Sequence, residues 1–118
     1  MKDLAPSIKR QRLLIEGFYS VNVNELVIKD YFNKITEDLN LRIYSEPIIF
    51  SPAGLGKEGN QGYDAFVPLI DSGISLYVWT KEKFLSAIIY TCKDFAQDQA
   101  VKSTKDFFEM NNLEMESF

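Results

Sequence analysis

The chain has 118 residues, 46% of them hydrophobic, with 13 Lys and Arg against 17 Asp and Glu, one Cys and no His. A domain of this length buries roughly two-thirds of its unfolded surface, so one core and a single domain over 1–118 are expected. The acidic balance and the lack of a basic block longer than Lys9-Arg10-Gln11-Arg12 argue against nucleic acid. The absence of His removes the usual neutral-pH base and the commonest transition-metal ligand, so no metal is expected.

No apolar run approaches the about 20 residues of a membrane span, and the start has no signal-like apolar segment before its basic cluster. No membrane partner is expected. A lone Cys cannot form an internal disulfide, and the default setting is the reducing cytoplasm.

Residues 1–9 read as a loose arm, with Pro6 breaking any early helix. Arg12–Ser20 (RLLIEGFYS) reads as a strand with both faces at least partly covered, which puts Glu16 on the solvent side of a sheet. Asn22 or Asn24 supplies the N-cap of a helix reaching about Leu39. Its Val27, Ile28, Tyr31, Phe32, Ile35 and Leu39 form one apolar stripe, suited to lie on a sheet. Leu41–Phe50 reads as a second strand in which Pro47 marks a bulge or an edge.

Residues 51–62 (SPAGLGKEGNQG) hold four of the six glycines but lack the spacing of a phosphate-binding loop. A hairpin connection or lid is the expectation there, and its role stays open. Tyr63–Ile70, with Pro68, gives a third strand, Ile74–Trp79 a fourth and Phe84–Thr91 a fifth. In the fourth, Ile74, Leu76 and Val78 share one face and Ser75, Tyr77 and Trp79 the other. Asp94 is the expected cap of a last helix that buries Ala96, Ala100, Val101, Thr104, Phe107 and Phe108. Asn111 and Asn112 stop it, and LEMESF adds a short final strand. The order predicts an α+β fold, a two-layer sandwich of a mainly antiparallel sheet with two helices on one face.

From Asp71 the chain reads Asp71-Ser72-Gly73-Ile74-Ser75-Leu76-Tyr77-Val78-Trp79-Thr80-Lys81, and later Tyr90-Thr91-Cys92-Lys93. On residues alone, Asp-Ser-Gly is ordinary turn chemistry, Cys92 a small buried hydrophobe, and Tyr77 and Trp79 core or interface aromatics. The stretch resembles the signature of the small prokaryotic S-adenosylmethionine decarboxylases, Glu-Ser-His-Ile-Ser-Ile-His-Thr-Trp-Pro-Glu followed by Phe-Thr-Cys-Gly. The spacing from Ser72 to Cys92 matches without a gap. Phe50-Ser51-Pro52, the first strand and helix, and the closing helix extend the likeness.

The resemblance implies cleavage at Asp71-Ser72 by attack of the serine on the preceding carbonyl, leaving a pyruvoyl cofactor made from Ser72. That group acts as the electron sink for decarboxylation, in polyamine biosynthesis toward spermidine, and Cys92 matches the proton donor. Phe50 matches the aromatic that stacks on adenine, and Trp79 the signature Trp. A homodimer is implied, with an S-adenosylmethionine-like small molecule as ligand.

Four positions depart from the pattern. Gly73 and Tyr77 stand where the family has histidines, Asp64 where it has a second processing serine, and Lys81 where an acid holds the ribose hydroxyls. A positioned acid or base contributes roughly 10²- to 10⁴-fold, so loss of the processing histidine predicts an uncleaved, catalytically impaired homologue with a residual ligand pocket or regulatory role. The alternatives are an active pyruvoyl decarboxylase of S-adenosylmethionine or another amino acid, with Tyr77 and Asp64 as substitutes, and an interaction module without a small-molecule role.

Overall fold

The computed structural model describes residues 1–51 and 61–118. The loop expected over residues 51–62 therefore lies mostly outside the described residues. The elements run β1 (Gln11–Phe18), α1 (Glu25–Asp38), β2 (Ile48–Phe50), β3 (Gly62–Leu69), β4 (Ser72–Trp79), β5 (Phe84–Thr91), α2 (Gln97–Phe108) and β6 (Asn112–Ser117). The six strands form one sheet in the order β2-β3-β4-β5-β1-β6. Every neighbouring pair is antiparallel. This is the α+β architecture expected from the order of elements.

Alternation along each strand sorts the side chains. Leu13, Ile15, Ala65, Val67, Ile74, Leu76, Val78, Leu85, Ala87 and Ile89 are buried on the inner face. The helices cover that face with Ile28, Tyr31, Phe32 and Ile35 from α1 and Ala100 and Phe108 from α2. At the centre of the helix layer the Tyr31 ring lies 4.7 Å from the Phe108 ring, and its hydroxyl meets Thr104 Oγ1 at 2.9 Å. Burial pushes the Tyr31 phenol up to about 12. Among the described residues, no helix is long and apolar enough to cross a membrane.

Several expectations need correction. The second strand is three residues, not ten; the stretch before it contributes only the bridge Ile43 to Leu69. Pro47 directly precedes it, and with so short an edge strand, β3 tolerates Pro68 beyond its end. Asn24, not Asn22, caps α1, its side chain accepting from the Val27 N–H at 2.9 Å. Asp94 does not cap α2; the cap is Ala96 without a side-chain bond, and Asp94 pairs with Lys9 at 2.7 Å. Ala96 is exposed, and Ser103 joins the buried face instead. β4 starts at Ser72 rather than Ile74, because Gly73 is paired inside the sheet.

Candidate functional site

Leu69 and Ser72 close the β3–β4 hairpin, leaving Ile70 and Asp71 as its two-residue turn. Asp71 has φ 75°, in the left-handed region that Asp tolerates better than most side chains. Ser72 also pairs with Thr91, so the next residue of β5's chain, Cys92, comes alongside the turn. One backbone N–H, that of Cys92, donates to Ser72 Oγ at 3.0 Å and to the Asp71 carbonyl oxygen at 3.1 Å. Ser72 and Cys92, twenty positions apart, are thus brought together. Cys92 is exposed, against the reading of it as a buried small hydrophobe.

The other predicted residues lie elsewhere. Tyr77 is five residues along β4 from Ser72, about 16 Å at the usual strand rise and on the opposite face of the sheet. The register places it in a transverse row, Phe50, Asp64, Tyr77, Ser86, Glu16 and Glu114, one residue from each strand. Asp64 is therefore the cross-strand neighbour of Tyr77 and shares its distance from Ser72. Within the row Ser86 Oγ donates to Glu16 at 2.5 Å. Glu16 is on the outer face as expected, though only half-exposed.

Ile48, Phe50, Asp64, Phe66, Ser75 and Tyr77 line an open cavity of about 210 Å³. Phe50 is 63% exposed, its ring offering a flat apolar surface beside the Asp64 carboxylate. Trp79 sits on the same outer face one pair further on, packed 5.6 Å from Phe84, which meets Phe18 at 5.2 Å. Lys81 lies in the exposed connector at the other end of β4 from Ser72.

Phe66 and Ser86 escaped the sequence reading. Their signal was the register: once the four residues Thr80–Lys83 join Trp79 to Phe84, counting back pairs Tyr77 with Ser86. Gly73 has a further cause. A Cβ there would stand 2.4 Å from a ring carbon of Phe66, so the ring from β3 occupies the space a side chain at position 73 would need.

A six-stranded antiparallel sheet covered on one face by two helices defines a two-layer α+β sandwich. The S-adenosylmethionine decarboxylase family profile matches residues 16–118, and the chain belongs to that family. Among solved structures it is similar to the adenosylmethionine decarboxylase from Aquifex aeolicus VF5, with 16% identity, a TM-score of 0.70, and 94% of this chain and 89% of that one covered. At that identity the likeness is one of fold. No curated protein matches.

Proposed function

We infer that this protein is a divergent S-adenosylmethionine decarboxylase-like protein that remains uncleaved at Asp71-Ser72, is catalytically impaired, and binds an S-adenosylmethionine-like ligand on its outer sheet face. The observation that carries this reading is the separation of Ser72 from Tyr77 and Asp64, the side chains that would have to replace the missing histidine and serine. Among the described residues, Ser72 Oγ has no hydrogen bond to a carboxylate or amine. With no such partner for the hydroxyl among the described residues, the residues described at this turn do not fit the making of a pyruvoyl group.

The exposed Phe50 ring, beside Asp64 in the lining of the outer-face cavity, supports retained binding. The cavity's about 210 Å³ falls below the roughly 300 Å³ at which small-molecule sites begin. A second copy laid against the outer face would deepen it, which favours a homodimer whose interface completes the site. Calorimetric titration with S-adenosylmethionine tests this. Saturable binding is expected, weakened roughly tenfold by Phe50→Ala, in line with the about 1–3 kcal/mol typical of base stacking on an aromatic ring. No binding in the parent chain, or binding indifferent to Phe50→Ala, would remove the ligand from the reading.

One observation favours the active alternative. The N–H of Cys92 polarises the very carbonyl that Ser72 would attack, as a backbone oxyanion donor does. Self-cleavage of the purified chain at Asp71-Ser72 would establish that alternative over the first.

A further inference from the structure

The short basic run of the N-terminal region has no part in the site above. The arm and the start of β1 line a half-open cavity of about 470 Å³, whose lining includes Lys2, Asp3, Ser7, Lys9, Arg10 and Arg12. Four cationic side chains thus meet one carboxylate, in a chain whose net charge is -4. Arg10 pairs with Asp3, and Lys9 with Asp94 outside the cavity. The Asp3 carboxyl is held below its usual range by the Ala5 backbone N–H first, and by Arg10 and Arg12 as well.

Lys2 and Arg12 have no ion pair among the described residues. Arg12 is held by its stem in β1 and by the Phe118 ring, 5.6 Å from its guanidinium carbon, while its Nε is buried and has no acceptor among the described residues. An anion in the cavity would be met by the terminal nitrogens of Arg12, whose fork suits a planar or tetrahedral oxyanion better than a point charge does.

We propose that this cavity is a binding site for a phosphate-class oxyanion, held by Arg12 with Lys2, Arg10 and the Ser7 hydroxyl. A multiply charged anion is favoured over a carboxylate because several cations converge and only one acid, Asp3, offsets them inside the cavity. Ser7 supplies a neutral donor that a phosphate oxygen accepts. The site is at the Ser72 end of the sheet: Arg12 pairs with Tyr90, and Tyr90 with Gly73. It is independent of whether the outer face binds an adenosyl ligand.

The test is a titration of the full chain with inorganic phosphate at constant ionic strength, with acetate in a parallel arm, followed by ¹H–¹⁵N NMR. Saturable movement of the Arg12 Nε–Hε resonance and of the backbone amides of residues 7–10 is expected with phosphate. Lys2→Gln, at an exposed position, and Arg12→Lys, which keeps the charge and stem, are each expected to weaken it about tenfold, as read from the amides. Equal responses to phosphate and acetate, a non-saturating drift, or an affinity unchanged in both variants would overturn the site.

Discussion

Gly73 and Phe66 belong together: the ring covers the spot where a Cβ would stand. Gly73→Ala must push the ring aside and is expected to lower stability by about 1 kcal/mol, within the usual range for overpacking. In a Phe66→Ala background the same change is expected to be neutral or stabilising, since Gly inside a strand costs roughly 0.5–1 kcal/mol relative to Ala. Denaturant unfolding of the four chains of this double-mutant cycle measures the coupling, and additive effects would refute it. The sequence displays Gly73 as a departure from the family histidine. That a phenylalanine seven positions earlier fills the space is a consequence of register and of a rotamer, neither of which is written locally.

Tyr31 offers a second test among single residues. Its folded-state phenol titrates at about 12 against an ordinary 10.0. The unfolded chain releases this proton first on going alkaline, so stability is full below pH 10 and declines between about 10 and 12. Tyr31→Phe is expected to flatten that stretch of the stability curve and, by leaving Thr104 Oγ1 unpaired, to cost about 1 kcal/mol at pH 7. An unchanged alkaline slope would contradict the assignment. The periodicity of α1 announces Tyr31 as buried, whereas its hydroxyl partner on α2, 73 positions away, is visible only in the fold.

Between elements, the two helices are tied by Asp38 at the end of α1, which accepts from Ser103 Oγ at 2.5 Å and from Lys34 Nζ at 2.9 Å. The Ser103 hydrogen bond first, and Lys34 next, hold the Asp38 carboxyl below its usual 3.8. A depressed carboxylate contributes stability above the unfolded value and loses it as pH falls below 3.8 through the folded value. Ser103→Ala is expected to cost about 1–2 kcal/mol at pH 7 and to lessen the acid-side decline, both read from denaturant midpoints across pH. The stripe of α2 was legible except at Ala96, which is exposed, and at this point. Ser103 looks like a surface residue until α1 is seen to bring a carboxylate to it.

The strands divide in the same way. β4 and β5 were clear because period-2 alternation and a short connector leave little choice of register. Leu41–Phe50 misled because apolar content alone does not make a strand: Tyr44 and Ile70 spend backbone N–H groups on single bonds to Pro68 and Arg42 rather than on a continued ladder. The row Phe50, Asp64, Tyr77, Ser86, Glu16, Glu114 exists only across all six strands. The sequence contained its members without their common level.

At the scale of the molecule, the helices cover one face and leave the other bare. Phe18, Phe66, Tyr77 and Tyr90 each remain more than a third exposed on that outer face, with Ile88 near its middle. Such an apolar aromatic surface favours association with a second copy. Sedimentation at micromolar concentration is expected to give a dimer, and Ile88→Lys a monomer of unchanged helix content. A parent chain that sediments as a monomer would remove the dimer from the account.

The separation of Ser72 from Tyr77 and Asp64 is tested most directly by the intact mass of the freshly purified chain. A single species of 13.6 kDa, the same before and after Ser72→Ala apart from the lost oxygen, is the predicted result. Two fragments, residues 1–71 and residues 72–118 with a pyruvoyl end, would contradict it and make the protein a working pyruvoyl enzyme.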